Sequence, residues 1–190
     1  MCGIVGHTGN TPNPIAVISG LKRLEYRGYD SAGIVGANGI LSVARAVGKI
    51  VNLEAVLAAQ PFPADAIAFV GHTRWATHGK ANETNAHPHV AGNVAVVHNG
   101  IIENHAQLRV ELEAAGAVFQ SDTDTEVIAH LIEQTLKHER DFVTAVQKSV
   151  MRLEGAYAIG VVSTLAPDTI VAVRKGSPLV VGLGDGQNMI

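Results

Sequence analysis

Short apolar runs that end in polar residues or glycine recur along this chain and predict buried strands. The first run spans residues 2–5, and two more, at 31–35 and 41–46, flank Asn38-Gly39, a dipeptide typical of tight hairpin turns. The other predicted strands are residues 66–75, 93–100, 156–163, 169–174 and 178–183. Strands are therefore expected at both the start and the end of the chain.

Helical periodicity fills regions between these strands. After Pro14, apolar residues recur at a spacing of three through Leu24, and the pattern stops near Gly28. Further helices are predicted at residues 53–57, 104–115 and 142–153, and after a capping box made by Thr123 and Glu126. Early hairpins, paired helices in the middle and late strands favour an α+β or layered sandwich fold over a regular parallel βαβ fold.

The composition narrows the classes of function. The chain has 190 residues, 47% of them hydrophobic, and a net charge of −3 with histidine neutral, so it can form a sizeable core but has no strong charge for nucleic acid or a membrane surface. It contains no apolar stretch of membrane-spanning length, and its one cysteine cannot form an internal disulfide. We therefore expect a cytoplasmic protein with neither a nucleic-acid nor a membrane partner.

The single cysteine lies at position 2, directly after the initiator methionine. Because cysteine is small, removal of Met1 is expected, and this would leave the α-amine of Cys2 beside its own thiol. With a pKa of roughly 8 for the amine and roughly 8.5 for the thiol, one residue would provide both base and nucleophile near neutral pH. The alternative is a small buried apolar side chain, which is common for free cysteine. A retained Met1 would also remove the base.

Polar clusters follow three of the apolar runs, at residues 72–79, 98–100 and 121–126. Loops that follow rigid strands often carry binding and catalytic groups. Arg74 offers a planar fork for a carboxylate, and Asp124 offers a carboxylate for an ammonium group, so together they could hold an amino acid at its two charged ends. Ordinary surface charges, or a helix N-terminus at Asp124, would explain the same residues.

The 98–100 cluster could also stabilise an oxyanion. Asn99 has an amide donor, and Gly100 allows a backbone N–H to approach a ligand closely. His-Asn-Gly is equally an ordinary turn sequence, so the residues alone leave both interpretations open.

Several motifs along the chain together resemble one enzyme family. They are MCGIVG, LEYRGYDSAG (24–33), GHTRWATHG (71–79), NAHPH (85–89), VVHNGIIENH (96–105), SDTDTEVIAHL (121–131) and GSPLVVGLG (176–184). In this order they resemble the glutaminase domain of the glutamine–fructose-6-phosphate aminotransferase family, and the resemblance covers essentially all of residues 1–190.

The resemblance implies a fold and a larger protein. The fold is that of the N-terminal-nucleophile hydrolases, a four-layer αββα sandwich of two antiparallel sheets packed face to face. In the family a sugar-phosphate isomerase region, absent from these 190 residues, follows the glutaminase domain, and the full-length enzyme is expected to be a homodimer.

The resemblance also implies a reaction. Cys2 would attack the side-chain amide of L-glutamine, with its freed α-amine acting as base through a water molecule. Asn99 and the Gly100 N–H would hold the oxyanion. Ammonia would leave, and water would then release glutamate from a γ-glutamyl thioester. In the full-length enzyme the ammonia would convert fructose 6-phosphate to glucosamine 6-phosphate. No cofactor and no metal is implied.

Other residues take binding roles by the same resemblance. Arg74 would bind the α-carboxylate of glutamine and Asp124 its α-ammonium group. Thr77 and His78 match the loop that folds over glutamine, and Trp75 matches a gate for ammonia. The remaining two matches, both at positions around the nucleophile, are Arg27 and Gly28.

Parts of the sequence are also compatible with other functions. Other class II amidotransferases, such as amidophosphoribosyltransferase and asparagine synthetase, share the CGI start and an Arg-Gly element, but RGYDSAG and HTRWATHG favour the sugar-phosphate family.

A metal-binding module is suggested by His87-Pro-His89, although zinc sites usually need about four ligands. A regulatory glutamine-binding domain would keep Arg74 and Asp124 without needing Cys2. The Gly-rich GLGDGQ lacks the Gly-Lys-Ser/Thr that would indicate a phosphate loop.

Overall fold

Two antiparallel sheets form the centre of the protein. The computed structural model describes residues 2–75 and 81–190. The strands are β1 (Gly3–Gly9), β2 (Ser31–Ala37), β3 (Leu41–Val47), β4 (Ala68–Arg74), β5 (His89–Ala91), β6 (Val94–Ile102), β7 (Gly155–Ser163), β8 (Ala166–Lys175), β9 (Gly182–Leu183) and β10 (Gln187–Met189). The helices are α1 (Pro14–Leu24), α2 (Ile50–Ala59), α3 (His105–Ala114), α4 (Thr125–Leu136) and α5 (Phe142–Val150).

The sheets and helices form four layers. A six-stranded sheet has the order β3-β2-β4-β1-β10-β9, and a four-stranded sheet has the order β5-β6-β7-β8. One apolar core lies between the two sheets. A second core joins α1 and α2 to the outer face of the six-stranded sheet, and a third joins α3, α4 and α5 to that of the four-stranded sheet. The predicted α+β class and the αββα sandwich are both confirmed.

Strand alternation decides which side chains enter the space between the sheets. In β4, Val70 lies in the core between the sheets while Phe69 packs towards α1 and α2. In β6, Val97 lies in the same inter-sheet core. Because alternate residues of a strand share a face, the residues two positions further along β4 and β6 also face the inter-sheet space. Polar groups at those positions therefore meet across the gap between the sheets.

Local sequence signals account for several element ends. Helix α1 begins at Pro14, whose fixed φ suits the first helical position. The Asn13 side chain caps this helix by accepting a hydrogen bond from the Ala16 N–H at 3.0 Å. The predicted turn between β2 and β3 has Gly39 at a φ of 104°, a conformation that favours glycine.

The predicted capping box at the start of α4 is wrong. The N-cap residue is Asp124, and the helix begins at Thr125. The Glu126 carboxylate instead accepts hydrogen bonds from the backbone N–H groups of Gln120 and Ser121, at 2.9 and 2.7 Å. It is therefore occupied by the segment that leads into the helix and does not reach back to Thr123.

The last predicted strand, residues 178–183, is also largely wrong. Only Gly182–Leu183 is a strand, and Val180 and Val181 are 77% and 57% exposed. A strand that was not predicted, β10, follows and pairs with β1 in the register His7↔Met189. The apolar run alone did not indicate which residues find a partner strand.

Among the described residues, no helix is long and apolar enough to cross a membrane.

Candidate active site

A small cavity of about 40 Å³ lies where β4, β6 and the start of α4 meet beside the N-terminal strand. We call it the Cys2 cavity; its lining residues are Cys2, Arg74, Trp75, His87, His98, Gly100, Thr123, Asp124 and Thr125. Cavities of about 580, 540, 350 and 290 Å³ are larger, but Cys2 lines none of them. The Cys2 cavity is partly open, and its volume is close to that of a single water molecule.

The Cys2 thiol is held against the end of β4. The Trp75 N–H donates to Sγ at 3.3 Å, and the thiol can donate back to the Trp75 carbonyl oxygen at 3.7 Å. Burial raises the pKa of the Cys2 thiol, although its hydrogen bond with the Trp75 backbone acts to lower it. The thiol therefore needs a base before it can act as a nucleophile. Met1 lies outside the described residues.

Asn99 and Gly100 lie next to Cys2 at the end of β6. The Asn99 Nδ2 donates to the Cys2 carbonyl oxygen at 3.4 Å, and its Oδ1 lies 2.8 Å from His72 Nε2. Gly100 has a φ of 133°, and a Cβ there would overlap the Ala156 carbonyl oxygen. Both the backbone conformation and the space thus require glycine at this position.

Arg74 and Asp124 place opposite charges on the wall of the Cys2 cavity. Arg74 ends β4 and is only 5% exposed, so its guanidinium lies in an environment where a paired anion is strongly favoured. The Asp124 Oδ2 accepts a hydrogen bond from the Ile102 N–H at 2.8 Å, which fixes the carboxylate at the N-terminus of α4. A ligand with a carboxylate and an ammonium group would complement this arrangement.

Of the other predicted site residues, some line the Cys2 cavity and some do not. Trp75 lines the cavity but is 46% exposed, and its ring packs edge-on against Tyr29 with 5.4 Å between centroids. Arg27 belongs to a 3₁₀ turn before Gly28 and is not among the cavity-lining residues. Thr77 and His78 lie outside the described residues.

Gly28 supports the segment that holds the thiol. A Cβ at Gly28 would lie 2.9 Å from the carbonyl carbon and oxygen of Arg74 and 3.0 Å from the Trp75 nitrogen. Its φ of −172° is extended backbone that any residue adopts, so the requirement here is for space alone. A side chain at this position would push on the peptide that donates to Cys2 Sγ.

Four histidines are buried at or near the Cys2 cavity, and two of them, His87 and His98, line it. Only the His87–His89 pair was singled out from the sequence. The four are His72, His87, His89 and His98, with exposed fractions of 0, 6, 3 and 3%. Ring centroids are 4.0 Å apart for His72 and His87 and 4.9 Å apart for His87 and His89. At positions 72 and 98, the sequence signal for a buried histidine was its place within an apolar strand.

Burial sets the charge of these rings. It lowers the pKa of His72 to about 3, against hydrogen bonds with Asn99 and the His98 backbone that act to raise it. Burial likewise lowers the pKa of His89 to about 3, and it lowers those of His87 and His98. All four rings are therefore neutral near pH 7, including His87 and His98 in the wall of the Cys2 cavity.

The structure gives little support to a metal site at His87 and His89 or to a phosphate-binding loop at residues 182–187. His89 Nε2 lies 3.0 Å from the Thr123 hydroxyl. In residues 2–75 and 81–190, no group of three or more His, Cys, Asp or Glu side chains could hold a metal ion. The Gly-rich GLGDGQ (182–187) connects β9 to β10, so it forms a hairpin at a sheet edge and does not lead into a helix N-terminus.

Comparisons with known proteins identify relatives of this chain. A family model described as a glutamine amidotransferase domain matches residues 72–190. The glutamine–fructose-6-phosphate aminotransferase (isomerizing) of Pseudomonas putida is 53% identical over 193 residues, which cover 100% of this chain. Its counterpart in Streptomyces coelicolor is 53% identical over 190 residues, which cover 98% of this chain. The chain spans 31% of the length of each of these relatives.

Solved structures share the fold. A glutamine phosphoribosylpyrophosphate amidotransferase from B. subtilis, complexed with ADP and GMP, is similar over 100% of this chain and 41% of its own, with a TM-score of 0.82 and 28% identity. A glutamine aminotransferase class-II domain protein from Silicibacter pomeroyi has a TM-score of 0.64 at 18% identity, covering 100% of this chain and 87% of its own. The second similarity concerns the fold alone.

Proposed function

Because the chain belongs to the class II glutamine amidotransferase family, we propose that it hydrolyses the side-chain amide of L-glutamine to glutamate and ammonia. The observation that carries this proposal is the position of the Cys2 thiol. Sγ lies 3.3 Å from the Trp75 nitrogen, in a cavity that Arg74 and Asp124 line with opposite charges. Asn99, whose amide donates to the Cys2 carbonyl, adds a hydrogen-bond donor beside the thiol.

The reaction requires Met1 to be removed. The α-amine of Cys2 then takes the thiol proton, directly or through water, and the thiolate attacks the amide carbon of glutamine. Asn99 Nδ2 and the Gly100 N–H donate to the oxyanion that forms. The carbon–nitrogen bond breaks as the amine returns the proton to departing ammonia, leaving a thioester. Water attacks this thioester, releases glutamate and restores the thiol.

Substrate recognition would use the two ends of the amino acid. The buried Arg74 guanidinium would pair with the α-carboxylate, and the Asp124 carboxylate would accept from the α-ammonium group. The distance from these two charged groups to Cys2 Sγ then selects the length of the substrate side chain. Asparagine, which is one methylene shorter, would be a poor substrate. Thr77 and His78 would close over the bound glutamine, and Trp75 would gate the departing ammonia.

The rest of the protein would use the ammonia. The relatives are named as isomerizing aminotransferases of fructose 6-phosphate, and this chain spans 31% of their length. We propose that a C-terminal isomerase region binds fructose 6-phosphate and receives the ammonia to give glucosamine 6-phosphate, in a cytoplasmic homodimer. The amidophosphoribosyltransferase is a more distant neighbour at 28% identity and is the weaker candidate.

The first experiment measures the products of glutamine. Protein whose intact mass shows the loss of Met1 is incubated with L-glutamine, and glutamate and ammonia are quantified. L-asparagine, one methylene shorter, is the matched control substrate. We expect equal amounts of glutamate and ammonia from glutamine and far less product from asparagine. Absence of glutamate from the mass-verified protein would contradict the proposal.

Gly28→Ala tests the support of the nucleophile. The added Cβ would displace the Arg74–Trp75 peptide, and a misplacement of about 1 Å near a reacting group can reduce the rate by about 10²-fold. We expect a loss of glutamate release of roughly that size. Gly182→Ala, where an added Cβ meets nothing within 4 Å, is the control and should retain activity. Equal activity of both variants would show that the site tolerates the displacement.

A further inference from the structure

We propose that His72 is a positioning residue that orients the Asn99 side-chain amide, so that its N–H group and not its oxygen faces the reacting carbonyl. This inference rests on the proposed glutaminase function and deepens it. It concerns a residue that the sequence motifs did not single out and that does not line the Cys2 cavity.

The two side chains meet across the gap between the sheets. His72 lies on β4 of the six-stranded sheet, opposite Ile4 and Gly33 of the neighbouring strands. Asn99 lies on β6 of the four-stranded sheet, opposite Ala158. Strand alternation sends both towards the inter-sheet core, where His72 Nε2 and Asn99 Oδ1 are 2.8 Å apart. The hydrogen bond thus links the sheets at the end where Cys2 lies.

The chemistry of this contact fixes the direction of the amide. In the observed orientation the amide oxygen faces Nε2, and because an amide oxygen only accepts hydrogen bonds, this pairing requires the proton of the neutral imidazole to lie on Nε2. With Oδ1 committed to His72, Asn99 Nδ2 points to the Cys2 residue, whose carbonyl oxygen is 3.4 Å away. Turning the amide by 180° would set its N–H group against the Nε2–H group and its oxygen against a developing oxyanion. His72 therefore selects the productive orientation.

The surroundings hold the imidazole in place. His72 is completely buried, and its ring packs against His87 with 4.0 Å between centroids. The His87 backbone lies directly against β2, because a Cβ at Gly33 would overlap the His87 carbonyl oxygen. His72 Nδ1 is buried and makes no hydrogen bond of ordinary length and angle within the described residues, although the His98 backbone lies close enough to act on the pKa of the ring. Asn99 is thus the side chain to which the ring is hydrogen-bonded within the described part of the chain.

Steady-state kinetics of two variants test this role. His72→Leu removes the donor and is expected to lower kcat by ~10²-fold, a typical loss for one oxyanion donor, with little change in KM. His72→Gln places an amide N–H near the position of Nε2 and should recover most of the rate. A rise in KM alone, or equal losses in both variants at equal thermal stability, would overturn the proposal.

A double-mutant cycle shows whether His72 acts through Asn99. In an Asn99→Ala background, His72→Leu should cause no further loss of kcat, because the group it positions is already absent. A residue that only supported the fold would reduce activity to a similar extent in both backgrounds, and that result would contradict the proposal.

The tautomer can be measured without any activity. Ring ¹⁵N NMR shifts of wild-type protein should show the His72 proton on Nε2. A proton on Nδ1 would overturn the inference even if glutamine hydrolysis is observed. Conversely, the Nε2–H form in a protein that releases no glutamate would contradict the proposed function and leave the side-chain geometry standing.

Discussion

Cys2→Ala is expected to reduce glutamate release from glutamine by at least ~10⁴-fold, the scale seen when a covalent nucleophile is removed. The variant retains the oxyanion donors and both charged groups but cannot form a thioester. Cys2 is also the single cysteine of the chain, so no other thiol can substitute for it. Glutamate is measured over hours to establish the residual rate.

Binding of glutamine should survive this substitution. Arg74 and Asp124, the proposed partners of the substrate's charged ends, are unchanged, so the Kd measured by calorimetry should stay within about threefold of that of a slow-turnover reference such as Cys2→Ser. Loss of binding together with activity would show that the thiol is needed for the shape of the cavity. Rapid hydrolysis by Cys2→Ala would remove the nucleophile from the mechanism.

Acid is expected to destabilise the fold well above the pH at which carboxylates titrate. Burial lowers the pKa of His72 and His89 from 6.5 to about 3. In the unfolded chain these rings bind protons near pH 6.5, so between that pH and about pH 3 the unfolded state holds more protons than the folded one. The free energy of unfolding should therefore fall steadily as the pH drops below 6.5. Together the two shifts amount to several kcal/mol, comparable with the whole stability of a typical domain.

The measurement is urea unfolding at a series of pH values between 7.5 and 5. Glu126 adds little to the pH dependence in this range. Burial acts to raise the pKa of Glu126, but hydrogen bonds from His130, Ser121 and the backbone lower it to about 2. The stability that the ionised carboxylate provides is therefore lost only at lower pH. His89→Gln should flatten the dependence on pH, and His138→Gln, at an exposed position, is the matched control. Unfolding free energies that stay constant between pH 6.5 and 5 would contradict the expectation.

The sequence predicted the strands that carry the site better than it predicted how their side chains meet. Residues 66–75 and 93–100 were predicted as strands, and they correspond to β4 and β6. The contact between His72 and Asn99 was not predictable from local patterns, because it joins two different sheets. Hydrophobic periodicity gives the face of a strand, but it does not give the partner across the core.

The two incorrect predictions have a common cause. Thr123 and Glu126 have the spacing of a capping box, yet nearby backbone N–H groups hold the Glu126 carboxylate. Residues 178–183 have the apolar character of a strand, yet pairing with β1 is made by Gln187–Met189. In both cases hydrogen-bond partners outweighed the local pattern: backbone N–H groups five and six residues earlier for Glu126, and β1 at the start of the chain for Gln187–Met189.

The position of β1 between β4 and β10 has a consequence for how the protein is made. The His7 ring contacts Gln187, a residue 180 positions later, and Gly6 exchanges backbone hydrogen bonds with Ile190. The first strand to leave the ribosome thus waits for almost all of these residues before its second edge is covered. Cys2, at the other end of β1, meets its own partners Trp75 and Asn99 much earlier in synthesis. The two ends of β1 are therefore completed at different times, and the end that carries the nucleophile does not depend on the last strand.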